Sequence, residues 1–178
     1  SGNDLDTSSV ITINQPPAIQ LFSNVATPIT CFGFNDGTID LIMGGGTPPY
    51  TYTWSNGLPN DSHVINLFAD TYTCTVIDSE GCAFSGNLIT ATIIEPQAIS
   101  TSEITTNISC NGLADGTATV TPSGGTGVLT INWNGMDPNA LPQGTHSYTV
   151  TDGNGCSYID DVTITEPDFL TASSSISS

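Results

Sequence analysis

The chain has 178 residues, 17 Asp and Glu, and no Lys or Arg, giving a formal charge of -17. Without basic side chains it has no means of gripping nucleic acid or an anionic membrane surface, and Schiff-base and P-loop chemistry are excluded with them. An apolar content of 37% and a mean hydropathy of +0.04 exclude a disordered polyanion.

In chain order, Val10 to Ile13 followed by Asn14-Gln15-Pro16 reads as the last strand of a preceding unit, so residues 1–16 are set apart. Seven short strands are then predicted: Ile19 to Ser23, Gly37 to Met43, Tyr50 to Ser55, His63 to Phe68, Asp70 to Ile77, Cys82 to Ser85 and Leu88 to Ile94. Turn-forming stretches separate them, at Gly44 to Pro49, Asn56-Gly57 and Asp78 to Gly81. No segment has a helical period, and such spacing predicts an all-β fold of β-sandwich type.

The pattern then returns. Ile29 to Thr38 reappears as Ile108 to Thr117, Gly45-Gly46-Thr47 as Gly124-Gly125-Thr126, and Trp54 as Trp133, all at an offset of 79. Beyond the tryptophan the offset falls to 74, carrying Leu67 onto Leu141, Asp78 onto Asp152 and Cys82 onto Cys156. Ile93 to Pro96 and Ile164 to Pro167 close the two copies. Residues 17–96 and 97–167 are therefore two tandem repeats, and residues 168–178 open another. On this reading the chain is a piece of an array, and its neighbours are repeats of the same kind.

Trp54 and Trp133 stand in alternating strands and are assigned to the core. Tyr72, Cys74 and Val76 alternate likewise, matched by His146, Tyr148 and Val150, so His146 reads as a packed ring. Four of the five cysteines follow the repeat. Pairing inside each copy, Cys31 with Cys82 and Cys110 with Cys156, is the simplest framework and implies an oxidising, extracellular setting. Cys74 has no counterpart and reads as a buried free thiol. Joining Cys74 to Cys82 would leave Cys156 without its partner. No paired-cysteine zinc spacing occurs.

Carboxylates number seven in each copy and three in the flanks, a distributed field rather than an active site. Asp36, Asp78 and Glu95 recur as Asp115, Asp152 and Glu166, and these six are the calcium candidates, although no calcium-loop motif surrounds them. No other metal or cofactor is expected. His63 and His146 occupy different repeat positions, so no catalytic constellation recurs and no catalytic residue is assigned. Asn60-Asp61-Ser62 and Asn107-Ile108-Ser109 fit the N-glycan acceptor pattern.

With these signatures in place, the chain resembles the SprB repeat of Bacteroidetes cell-surface proteins. The resemblance rests on Cys31 to Gly37, Gly45-Gly46-Thr47 with Tyr50 to Trp54, Asp78 to Cys82 and Ile93 to Pro96, with the matching set in the second copy. It implies an immunoglobulin-like β-sandwich per repeat, an extracellular place on the bacterial surface, export by type IX secretion, and a part in a long adhesin of the gliding-motility type. The expected role is a stalk segment. Two alternatives stand beside it: a surface module binding glycans or substratum through aromatics such as Tyr50 and Tyr52, and a filament subunit whose Val10 to Ile13 strand fills a neighbour's groove.

Overall fold

The structure, a computed structural model, describes residues 14–86 and 88–172. Eleven strands and one short 3-10 turn at Ser55–Gly57 make up its regular structure, so the all-β expectation is met. The strand Val10 to Ile13 and most of the segment 168–178 lie outside the described residues. The chain divides into two compact units.

The first unit holds two three-stranded antiparallel sheets. In one, β2 (Gly37–Gly44) lies between β1 (Gln20–Thr27) and β4 (His63–Leu67). In the other, β5 (Asp70–Ile77) lies between β3 (Thr51–Trp54) and β6 (Ile89–Ile93). Period-two alternation decides which side chains turn inward. Ile39 and Leu41 on β2, Tyr72, Cys74 and Val76 on β5, and Ile89, Ala91 and Ile93 on β6 are buried, while the intervening residues, mostly Thr, face out. Burying an aliphatic side chain of this size contributes about 1.5–3 kcal/mol. The Asn24 amide on β1 donates to the carbonyl of Thr90 on β6 (2.9 Å), tying one sheet to the other.

The second unit repeats the plan with fewer strands. β7 (Ser100–Thr106) pairs with β8 (Thr117–Ser123), and β10 (Gly144–Thr151) lies between β9 (Thr130–Asn132) and β11 (Ser157–Ile164). Ala118 and Val120 from one sheet meet Tyr148, Val150, Val162 and Ile164 from the other in a single core that also includes Ile108 and Leu141. Where the first unit has β4, the second has an isolated bridge between Gly116 and Leu141. The offset change from 79 to 74 falls in this stretch.

One sequence expectation changes. Cys82 to Ser85 is not a strand; Ala83 alone bridges to Ile77, and the backbone leaves the sheet before β6 begins. The glycine of each Asp-Gly-Thr is required by packing. Gly37 and Gly116 are buried where a Cβ would lie 2.7 Å from Ile93 Cγ2 and 2.5 Å from Ile164 Cγ2, and 2.9 and 2.8 Å from the carbonyls of Leu67 and Leu141. The two sheets approach too closely there for any side chain.

The repeats and the compact units do not coincide. Pro28–Asp36, which belongs to the first copy by sequence, is part of the second unit, as is the end of the first copy from Ile94 onward.

Candidate functional site

Each copy carries a cysteine loop and an acidic turn. The Cys31 loop runs from Pro28 to Asp36. Phe34 N–H donates to the Cys31 carbonyl (3.1 Å), and Gly33 sits at φ 76, where a residue without Cβ is favoured. Asp36 accepts from Thr30 N–H (3.1 Å) and from the Thr30 hydroxyl, bonds that hold its carboxyl below the usual value. Glu95 accepts from Gly33 N–H (2.9 Å), and Ile29 N–H reaches the Ile94 carbonyl (3.0 Å).

The Cys110 loop is built in the same way. Leu113 N–H donates to the Cys110 carbonyl (3.1 Å), Asp115 accepts from the Ser109 amide and hydroxyl, Glu166 accepts from Gly112 N–H (2.9 Å), and Ile108 N–H reaches Thr165 (3.0 Å). The repeated Asp and Glu therefore fasten the loop that presents each cysteine.

The acidic turns match as closely. Asp152 is buried, and its carboxylate accepts from Thr126 N–H (2.8 Å), Asn154 N–H (2.9 Å) and Cys156 N–H (2.9 Å). Burial opposes its ionisation, but these amides outweigh the cost and hold its carboxyl below the ordinary 3.8. Asp78 does the same for Thr47, Glu80 and Cys82, and the Thr47 amide leads in lowering its carboxyl. Gly45-Gly46 and Gly124-Gly125 are explained by this arrangement. They adopt positive φ, and a Cβ on Gly45 or Gly124 would meet the Ala18 or Ala98 carbonyl at 2.1 or 2.0 Å.

In the second unit the loop and the turn are joined. Cys31 is disulfide-bonded to Cys156, with Cα atoms 5.7 Å apart. Asn154 donates its side-chain amide to the Thr30 carbonyl (3.0 Å) beside the bond. The cysteines and the adjacent segment Pro96 to Ile99, together with Phe32, Phe34 and Tyr158, wall a cleft of about 570 Å³.

This bond corrects the pairing expected from the repeat. Cys31 is not joined to Cys82, nor Cys110 to Cys156; Cys82 and Cys110 are exposed free thiols. The cause lies in the chain path: the Cys31 loop is part of the second unit, within bonding distance of that unit's own acidic turn. Cys74, the remaining free thiol, is 1% exposed, and burial pushes it up to about 11.

The other predicted residues are placed as follows. Trp54 is buried, and its indole N–H donates to the Asp61 carbonyl (2.9 Å). Trp133 is half-buried against the core, 5.1 Å from the Tyr148 ring. His146 is buried, with Nε2 2.8 Å from the Pro142 carbonyl. The calcium candidates Asp36, Asp78, Glu95, Asp115, Asp152 and Glu166 each receive backbone N–H donors. Among the described residues, no group of three or more His, Cys, Asp or Glu is arranged to hold a metal ion. Tyr50 and Tyr52 are half-buried and form no exposed aromatic row.

Sequence reasoning missed the role of Thr30 and Ser109 as partners of the loop aspartates, and of Asn154 as a donor between turn and loop. Their signal was the position beside each repeated cysteine and aspartate. The pair formed by buried Tyr148 and Glu103 was also missed. Glu103 accepts from the Tyr148 hydroxyl, which also reaches Thr101 (3.0 Å), while burial and then Glu103 push the phenol up to about 12.

Comparison with known proteins agrees with the internal symmetry. The SprB repeat family model matches residues 23–59 and 102–138, two segments at the offset of 79. No curated protein and no solved structure matches the chain. Two segments of the chain thus match the SprB repeat, a structural rather than enzymatic repeat family associated with cell-surface proteins of the adhesin type.

Proposed function

We propose that this chain is a stalk segment of a long extracellular adhesin, supporting an adhesive function instead of catalysing a reaction. The carrying observation is the Cys31–Cys156 bond, which joins a cysteine of one sequence copy to a cysteine of the next. Such a link suits a covalently continuous array in an oxidising environment. A like-charged chain with 17 carboxylates and no basic side chain stays soluble and resists collapse onto its neighbours. The absence of Lys and Arg also removes every cleavage site for trypsin-like proteases. An immunoglobulin-like strand arrangement in each repeat, export by type IX secretion and a part in gliding motility belong to the same proposal. Its binding partners are neighbouring repeats, with glycans or substratum reserved for other parts of the adhesin. No resident metal or cofactor is assigned.

The test uses antibody raised against this chain. Labelling of intact cells, and detection of a native polypeptide of hundreds of kilodaltons, would support the stalk. An unlabelled surface or a native product of about 18.4 kDa would overturn it.

A further inference from the structure

The bonded loop and turn in the second unit have unbonded counterparts. In the first unit the acidic turn is complete: Asp78 holds the amides of Thr47, Glu80 and Cys82, Gly46 N–H donates to the Pro17 carbonyl as Gly125 N–H does to Gln97, and Cys82 is exposed. A cleft of about 230 Å³ lies beside it, walled by the same repeat positions, including Ala18, Ile19 and Asp78 in place of Ala98, Ile99 and Asp152. In the second unit, the Cys110 loop has the same internal bonds as the Cys31 loop, and Cys110 is exposed. One half is a socket with its cysteine, the other a plug with its cysteine.

We infer that the Asp78–Cys82 turn is a docking site for the cysteine loop of another SprB repeat and bonds covalently to it, the Cys110 loop being the matching plug. For the isolated chain, the occupant is the Cys110 loop of a second copy. The Cys31 loop already occupies the equivalent turn in the second unit, with Cys31 bonded to Cys156. Because plug and socket are different surfaces, the contact is heterologous, and repeated use generates a head-to-tail chain instead of a closed dimer. Cys82 and Cys110 each lose a thiol proton, and their two electrons pass to a low-molecular-weight disulfide such as oxidised glutathione. The S–S bond of that reagent is exchanged for the Cys82–Cys110 bond, and two small thiols are released.

Among the positions that differ between the sockets, one faces the docked loop's backbone. Asn154, which donates to the Thr30 carbonyl, is replaced by Glu80, which when ionised has no proton to donate to the corresponding carbonyl of Ser109. Glu80 therefore weakens docking of this plug, and restoring the donor strengthens it.

The test takes the purified chain with its Cys31–Cys156 bond intact and adds oxidised glutathione at mildly alkaline pH. Non-reducing electrophoresis is expected to give a ladder of multimers that collapses with reductant, and peptide mapping to give Cys82–Cys110 as the new bond. Cys82→Ser and Cys110→Ser, both at exposed positions, should each remain monomeric alone, while their mixture gives a species of twice the chain mass and nothing larger. Glu80→Asn should raise the cross-linking rate several-fold. Absence of a ladder, symmetric Cys82–Cys82 or Cys110–Cys110 bonds as the main products, bonds mapped inside each copy, or no acceleration by Glu80→Asn would overturn the inference. The outcome does not depend on where the protein resides, so failure here leaves the surface-stalk reading standing, and the reverse.

Discussion

Cys31 and Cys156 are separated by 125 residues in sequence and 5.7 Å at their Cα atoms. A bond closing so long a loop removes a large part of the unfolded chain's freedom, about 5 kcal/mol in the chain-entropy account. Cys156→Ser should lower the unfolding free energy by about 2–5 kcal/mol, read as a lower urea midpoint in the absence of reductant. An unchanged midpoint would show that this bond does not hold the second unit.

Thiol counting separates the pairings directly. The monomeric folded chain should present two rapidly reacting thiols, Cys82 and Cys110, and a third only on unfolding, when Cys74 leaves its buried site. All five should react only after reduction. One reactive thiol in the unfolded, unreduced chain would restore pairing inside each copy, and five would exclude any bond.

The acidic turn predicts a pH dependence of defined sign. The Asp152 carboxyl is held below its ordinary 3.8 in the fold, so its contribution is complete above that value and is lost as pH falls through the lowered one. Asp152→Asn puts an amide nitrogen against the N–H of Thr126 or of Asn154 and Cys156, and should melt at a lower temperature than the parent at neutral pH. The gap should narrow in strong acid, where the parent carboxyl is protonated. Thermal melts of both proteins from neutral pH to below 3.8 measure this, and a gap independent of pH would remove the carboxylate's role.

Gly116→Ala tests the close approach of the two sheets. Its Cβ would press on Ile164 and on the Leu141 carbonyl, which, as backbone, has little room to yield. A loss of about 1–3 kcal/mol is expected in chemical denaturation, typical of overpacking. Gly112→Ala is the contrast: its Cβ meets nothing within 4 Å, and its cost should come only from its positive φ.

Calcium should leave stability unchanged. The six recurring carboxylates are engaged with backbone amides and, in two cases, hydroxyls, so melts in EDTA and in millimolar calcium at equal ionic strength should have the same midpoint. A clear rise with calcium would assign these loops a cation.

The amino-acid sequence by itself determined the repeat, most of the strands and most of the core. A period of two places Tyr72, Cys74 and Val76 on one face whatever lies across from them, and Trp54, Tyr148 and His146 follow from the same local rule. The recurring Asp-Gly-Thr was visible too, but the sheet-to-sheet approach that requires its glycine was not. Only the tertiary structure decided the partner of each cysteine. Equivalent positions in two copies have the same local signals, so the repeat distinguishes the loop cysteines Cys31 and Cys110 from the turn cysteines Cys82 and Cys156, but does not say which copy supplies the partner. That choice depends on the path of Pro28–Asp36, which brings the first copy's loop to the second copy's turn and leaves a socket at Cys82 and a plug at Cys110.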